Sequence, residues 1–140
     1  MKRMIRRILE KRKAETYLRN ADAASLLQMA CGISDYDQAG LLTVRAMAAV
    51  AYLRSGDQRN SQNLFSLIAK VAGDSRDKDV RYVKLFARYK LAVIRLALSD
   101  ARLIELQSRG IGSRRLRRIL RMEEIPEYYA KIGPSVTASM

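Results

Sequence analysis

The sequence feature that most constrains the fold is a stretch, residues 77–98, that is apolar around most of a helix. When it is wound at about 100° per residue, the apolar side chains leave only one narrow polar line. The apolar residues are Val80, Tyr82, Val83, Leu85, Phe86, Tyr89, Leu91, Val93, Ile94 and Leu96. A helix of this kind has to be covered on nearly every side. We therefore expect a central helix surrounded by other elements of the same domain.

The polar line of this central helix is basic. It consists of Arg81, Arg88 and Arg95, with Lys84 beside them, and Arg102 would extend it if the helix continued. Seven residues correspond to about 10 Å along a helix axis, so the row places positive charge at regular intervals. Two interpretations stay open. In the first, the arginines are solvated and paired with acidic residues of the chain such as Asp77. In the second, they form a row that binds an acidic partner.

Helix signals along the rest of the chain predict an all-α fold. Apolar spacing predicts further helices over residues 2–19, 23–30, 36–53, 64–72, 103–106 and 114–122. Capping residues predict starts at Asp22, Ser34, Asp74-Ser75 and Ser113, and stops at Gly32, Gly56, Gly73 and Gly110. Ser99-Asp100 is either a cap of the central helix or a tolerated interruption before residues 103–106. We expect six to eight helices as serial antiparallel helical hairpins, in a bundle or a short α-solenoid. Residues 1–134 would form one all-α domain, and residues 135–140 a frayed tail.

A short repeat supports this serial arrangement. Residues 17–22 and 52–57 share the pattern YLRxxD at an offset of 35 residues. Each copy lies where a longer predicted helix ends and a shorter one begins. A third junction, residues 96–100, shares only leucine and aspartate with them. Periods in this range are typical of stacked helical pairs.

One of these pairs, residues 45–73, resembles a tetratricopeptide unit. The resemblance is carried by Ala49, Tyr52, Gly56, Ser61 and Phe65, and the chain departs from the pattern at Arg45, Ile68 and Gly73. It implies a helical-repeat adaptor or chaperone. In such a protein, a groove would bind an acidic segment of a partner protein through Arg81, Lys84, Arg88 and Arg95. Ordinary helical hairpins packed as a bundle explain the same residues.

The charge of the chain is strongly positive and concentrated in two places. There are 27 Lys and Arg against 14 Asp and Glu, which gives a net charge of +13. Residues 1–13 hold seven basic residues and one Glu, and residues 113–121 hold five arginines. This surplus favours a polyanionic partner or an acidic membrane surface. Neither basic segment carries Trp or Phe, so membrane-surface attachment is the weaker alternative.

The second basic segment follows a glycine turn, and residues 103–120 are similar to a helix-hairpin-helix DNA-binding motif. The resemblance is carried by Gly110-Ile111-Gly112 followed by Leu116 and Ile119. The chain departs from the motif because Ser108 replaces an apolar residue, Leu116 is larger than the small residue expected there, and no proline precedes Gly110. The resemblance implies phosphate contacts from Gly110, Gly112, Ser113, Arg114, Arg115, Arg117, Arg118 and Arg121. The alternative is a plain glycine helix stop followed by a basic amphipathic helix.

The first basic segment is also predicted to be an amphipathic helix. Lys2, Arg3, Arg6 and Arg7 surround an apolar stripe of Met4, Ile5, Ile8 and Leu9. If the stripe packs on the core, the cations face outward, and non-specific phosphate binding needs no more than that. Base stacking is poorly supported, because the chain has no Trp. We therefore predict a nucleic-acid partner, DNA or RNA, bound without sequence preference, with the acidic protein segment as the alternative.

Catalysis is poorly supported by the sequence. The chain has no His, Cys31 lies on an expected core face, and no residues have the spacing of zinc ligands. Asp74, Asp77 and Asp79 are better explained as helix caps than as a magnesium site. The longest uncharged apolar run, residues 46–53, is too short to span a bilayer, and the charged N-terminus does not fit a secretory signal. We predict a cytoplasmic protein that is not an enzyme and has no cofactor.

Overall fold

The structure, a computed structural model, describes residues 2–33, 37–71 and 76–126, with side chains from residue 11 onward. Seven α-helices make up most of these residues. They are α1 (Lys2–Arg19), α2 (Ala23–Cys31), α3 (Gln38–Arg54), α4 (Gln58–Lys70), α5 (Lys78–Ile94), α6 (Leu98–Ser108) and α7 (Arg114–Ile119). No strand occurs in these ranges, so the predicted all-α class is confirmed. The chain divides into two compact units, Met1–Leu64 (unit 1) and Phe65–Met140 (unit 2).

The first six helices alternate between longer and shorter ones, as the sequence repeat predicts. Their lengths are 18 and 9 residues for α1 and α2, 17 and 13 for α3 and α4, and 17 and 11 for α5 and α6. Residues 20–22, 55–57 and 95–97 form the connecting turns. Turns this short bring consecutive helices close together.

The three turns have the same backbone hydrogen bonds. In each, one hydrogen bond reaches back five residues and measures 2.8 Å: Asp22 N–H donates to the Tyr17 carbonyl, Asp57 N–H to that of Tyr52 and Ala97 N–H to that of Ala92. The residue before each donor is left-handed: Ala21 (φ 53°), Gly56 (φ 87°) and Leu96 (φ 59°). This is the Schellman motif, which satisfies carbonyls at a helix end. The donor residue of each bond is also the residue that precedes the next helix.

The third turn corrects three sequence predictions. It matches the other two at residues 92–97 rather than 96–100, because leucine and not glycine takes the left-handed position. α5 therefore ends at Ile94, and Arg102 belongs to α6 instead of extending the basic row. The cap of α6 is Ala97, not Ser99-Asp100, and no side chain caps this helix.

Aspartates cap the starts of α2, α3, α4 and α5. Asp22 caps α2 as predicted, because its carboxylate accepts a hydrogen bond from the Ser25 N–H at 3.1 Å. α3 begins after Asp37 and α5 after Asp77, each with a carboxylate bonded to N–H groups of the first turn. The predicted signals at Ser34, Gly73, Asp74 and Ser75 lie outside the described residues.

The core of unit 1 forms around α3. Its buried residues are Leu42, Val44, Ala46, Met47, Ala48, Ala49, Val50 and Ala51. From α4, the buried Ser61 hydroxyl donates to the Ala49 carbonyl at 2.7 Å, which satisfies a polar group inside the core. Cys31 is exposed, so its predicted core position is wrong: it ends α2 one residue beyond the buried Ala30.

The core of unit 2 forms around α5, the predicted central helix. Its buried residues are Val80, Tyr82, Val83, Phe86, Ala87, Tyr89, Leu91 and Ala92. The Phe86 ring packs edge to face on Phe65, with ring centroids 6.0 Å apart at 67°. On the other side, Tyr89 and Ala92 join Ala101 and Ile125 in a second apolar cluster. These contacts hold α6 and the segment after α7 against α5.

Candidate functional site

The predicted basic helix is α7, a short helix held by its apolar side. Leu116 is 6% exposed, and Leu120, just past the helix end, is 1% exposed. The Ser113 hydroxyl accepts a hydrogen bond from the Leu116 N–H at 3.2 Å, which confirms the predicted cap. The helix ends at Ile119, earlier than the sequence predicted. Buried leucines and a capped start give this basic element a fixed orientation.

Four arginines of this region are exposed, and we call them the arginine cluster: Arg114, Arg117, Arg118 and Arg121. The first three lie three and four residues apart, so they share one face of α7. In the parts of the chain that the structure describes, none of the four is ion-paired with a carboxylate. Arg115, the fifth predicted phosphate contact, is half-buried. The cluster therefore presents uncompensated positive charge.

The glycine turn before α7 is used for packing within the chain. The Ser113 N–H donates to the Asp79 carboxylate at 2.7 Å. Gly112 lies against Tyr82 so closely that a Cβ there would come within 2.9 Å of the tyrosine Cβ, and its φ is 82°. Gly110 also has a positive φ, 80°, but open space beside it. The amide that the helix-hairpin-helix resemblance assigns to phosphate is thus bonded to Asp79, which the sequence analysis placed only as a helix cap.

Acidic residues close in sequence to the cluster are paired elsewhere or exposed. Arg109 Nη2 lies 3.2 Å from Glu105 Oε2 and 3.7 Å from Glu124 Oε1. The hydrogen bonds that Arg109 donates to the Glu105 carboxylate, together with the negative charge of Glu105, raise the pKa of the Arg109 guanidinium. Glu123 is exposed. The carboxylates of this region therefore neutralise Arg109 and leave the cluster uncompensated.

The segment after α7, residues 120–126, is not helical and is fixed along α5 and α6 by three side chains. The Tyr82 hydroxyl donates to the Leu120 carbonyl at 2.6 Å, and the Tyr89 hydroxyl donates to the Glu123 carbonyl at 2.8 Å. From α6, Arg102 Nη1 donates to the Ile125 carbonyl at 3.1 Å. These bonds satisfy carbonyls that no helix pairs, and they fix the end of α7.

The two tyrosines that hold this segment are protected from ionisation. Burial raises the pKa of Tyr82 to about 12, although the positive charge of Arg117 opposes the rise. Burial also raises the pKa of Tyr89. Both hydroxyls therefore keep their protons, and so their hydrogen bonds, well above neutral pH.

The basic row on α5 divides into two parts. Arg81, Arg88 and Arg95 are exposed and Lys84 is half-buried. None of these four is ion-paired within the described ranges. Arg88 and Arg95 line a groove between α5 and α6, whereas Arg81 and Lys84 do not. The four predicted groove residues are therefore not all brought to one site.

The groove has an apolar floor and a mixed rim, with a volume of about 490 Å³. Its floor is formed by Leu91, Ala92, Ala97, Leu103 and Ile104, and its rim by Arg88, Arg95, Asp100 and Gln107. Leu103 is 59% exposed. The residues from α6 were missed in the sequence because only the turn at Leu96 brings that helix back against α5.

The predicted N-terminal contacts lie on α1, but their side chains are outside the described part of the chain. Lys2, Arg3, Arg6 and Arg7 belong to the first turns of that helix. Among the described residues, no His, Cys, Asp and Glu side chains cluster in a way that could hold a metal ion. None of the described helices has the length and apolar character needed to cross a bilayer.

Comparison with protein-family models, with curated proteins and with solved structures gives no match.

Proposed function

We propose that this protein binds the phosphate backbone of nucleic acids without sequence preference, and that it is not an enzyme. The observation that carries the proposal is the arginine cluster: four exposed arginines within eight residues, none ion-paired in the described structure. An exposed concentration of positive charge attracts polyanions, and binding releases their condensed counterions. A cytoplasmic location is part of the same proposal.

The type of side chain supports phosphate as the target. Arginine presents a planar fork of donors that fits two oxygens of a phosphate at once, which lysine cannot do. Arg114, Arg117 and Arg118 share a face of α7, so a backbone passing along that face meets several guanidinium groups. Because the Ser113 N–H is bonded to Asp79, the contacts are assigned to side chains and not to the turn.

The absence of sequence preference follows from what surrounds the cluster. Base recognition on single strands uses exposed aromatic side chains for stacking. The aromatic residues of unit 2 within the described ranges, Phe65, Tyr82, Phe86 and Tyr89, are all buried. Contacts restricted to the backbone fix position and carry no sequence information. We therefore expect DNA and RNA duplexes of any sequence to bind with similar affinity.

The experiment is a salt series of equilibrium binding, measured by fluorescence anisotropy with a labelled duplex. The variant R117Q/R118Q removes two positive charges from exposed positions of the arginine cluster. The matched control is R88Q/R95Q, which removes two positive charges from exposed positions outside the cluster. We expect the slope of log K against log salt to fall by roughly 1.8 in the cluster variant, about 0.9 for each lost contact, and to stay unchanged in the control.

Two results would contradict the proposal. One is the absence of duplex binding by the wild-type protein at low salt. The other is an equal loss of slope in both variants, because this would make net charge, and not the cluster, responsible. A further arm with vesicles containing anionic lipid separates nucleic-acid phosphate from lipid phosphate: tighter binding to vesicles than to duplex would replace the proposed partner with a membrane surface.

A further inference from the structure

We propose that the groove between α5 and α6 binds an acidic, leucine-bearing segment of a protein partner. This site is separate from the arginine cluster and does not depend on the nucleic-acid proposal. Its occupant is defined by two properties of the groove that act together: an apolar floor and a rim with unpaired positive charge.

The apolar part of the site includes one leucine that is exposed in the free protein. Leu103 is 59% exposed and lines the groove together with the buried Leu91 and the half-buried Ile104. Apolar area in contact with water gains about 25 cal/mol per Å² when it is covered. A groove with an exposed leucine and other apolar lining residues therefore favours a ligand that brings apolar side chains.

The charged part of the site is one-sided. Arg88 lies on α5 and Arg95 is the residue that directly follows this helix, so the two are seven residues, or about 10 Å, apart along the helix axis. Neither is ion-paired in the described chain. The one carboxylate among the lining residues is Asp100, on α6. The rim thus has a net positive charge and favours a ligand whose carboxylates lie on the side that faces Arg88 and Arg95.

Other occupants fit the groove less well. A nucleic acid has no aliphatic groups to place on a floor of leucine, isoleucine and alanine, and no exposed aromatic residue lines the groove for base stacking. A second copy of this chain carries a net charge of +13, so it would approach with strong repulsion. An acidic protein segment matches both the floor and the rim.

The spacing of the two arginines defines the ligand further. Carboxylates about 10 Å apart occur seven residues apart on a helix, or three residues apart on an extended strand. Apolar residues between them would point toward the floor when the segment is helical, as in other cases of a helix bound in a groove. The ligand we assign is therefore an amphipathic helix with leucines on one face, flanked by glutamates seven residues apart.

The test uses a defined probe, a fluorescein-labelled peptide of about 15 residues with this pattern, long enough to form a helix on binding. A second peptide has glutamine at the two glutamate positions. We expect the glutamate peptide to bind several-fold more tightly, because two exposed charge pairs together contribute about 0.4–2 kcal/mol. Equal affinity for the two peptides would overturn the proposal, as would the absence of binding by the glutamate peptide.

Matched variants locate the site, and all change exposed residues. R88Q/R95Q is expected to weaken binding several-fold, whereas R81Q, on α5 but outside the groove, leaves it unchanged. L103S weakens binding, and L106S, one turn away and also outside the groove, does not. D100N strengthens binding, because it removes the negative charge from the rim. A purely structural role of these residues would not produce a gain in affinity.

The two proposals fail independently. R117Q/R118Q is expected to leave peptide affinity unchanged, and a labelled duplex is expected not to displace the peptide. If R81Q weakens peptide binding as much as R88Q/R95Q, or if duplex displaces the peptide competitively, the groove is not a separate site and the inference is wrong. The duplex salt series decides the nucleic-acid proposal whatever the outcome with the peptide.

Discussion

The arginine cluster on α7 and the groove arginines on α5 contain the same side chain in two different surroundings. Around the cluster, the apolar residues Leu116 and Leu120 are buried beneath the helix, and only charge reaches solvent. Around Arg88 and Arg95, an exposed leucine and an apolar floor lie within the same groove. In both proposals the positive charge attracts an acidic partner. The surface around the arginines then determines whether this partner is a nucleic acid or a protein segment with apolar side chains.

The largest effect is expected when the whole cluster is neutralised. The variant R114Q/R117Q/R118Q/R121Q should lose roughly a thousandfold in duplex affinity at low salt, because about four phosphate contacts and their released counterions are lost. Its affinity for the acidic peptide should be unchanged. The measurement is anisotropy with both ligands on one preparation, with circular dichroism to show that the helices are intact. Parallel loss of both affinities would remove the distinction between the two regions.

A smaller effect is expected on the free energy of unfolding when either glycine of the turn before α7 is replaced by alanine. Gly112→Ala should lower the free energy of unfolding by about 2–3 kcal/mol, because the methyl group meets Tyr82 and the φ of 82° is strained for alanine. Gly110→Ala should cost only about 1 kcal/mol, since it has the φ but no close neighbour. Urea unfolding of both variants checks this. Equal costs would mean that Gly112 is not packed as described.

The tyrosines that hold residues 120–126 make stability depend on pH. In the unfolded chain the Tyr82 phenol ionises near its ordinary pKa of 10.0, whereas burial raises the pKa to about 12 in the folded protein. Between these values the unfolded state binds fewer protons, so the free energy of unfolding falls as pH rises from 10 toward 12. Tyr82→Phe should weaken this dependence. An unchanged slope in urea unfolding across that range would contradict the assigned burial.

The smallest effects concern the turn that joins the two groove helices. Leu96→Gly relieves a left-handed leucine, and Ala97→Asp supplies the missing cap of α6, so each should stabilise by about 1 kcal/mol. Asp57→Ala, at the matching position of the second turn, should destabilise by about 1 kcal/mol, because Asp57 caps through the Asn60 N–H. Thermal unfolding checks both signs. A loss of stability in Ala97→Asp would show that the turns are not equivalent.

Local signals in the sequence predicted the helices well but not what the helices contact. The cap at Asp22, the turn at Gly56 and the apolar surface of α5 depend on residues close in sequence, and these expectations are confirmed. The third turn was misplaced, because Leu96 and Ala97 carry no turn or cap signal. The surrounding structure holds Leu96 in a left-handed conformation that leucine does not favour by itself.

The candidate site was only partly predictable for the same reason. Exposure of the cluster arginines follows from the amphipathic pattern of α7. The contact between Ser113 and Asp79 joins residues 34 apart, and the bond from Tyr82 to Leu120 joins residues 38 apart. No local pattern encodes such contacts, which appear only when α5 and α7 are packed. The division of the basic row, with Arg88 in the groove and Arg81 outside it, likewise depends on where α6 lies.

The most direct measurement is chemical footprinting of the arginines with a dicarbonyl reagent, read by mass spectrometry with and without a saturating duplex. We expect slower modification of Arg114, Arg117, Arg118 and Arg121 when duplex is bound, and unchanged modification of Arg88 and Arg95. Protection of Arg88 and Arg95 to the same degree, or no protection of the cluster, would contradict the assignment of the two surfaces to different partners.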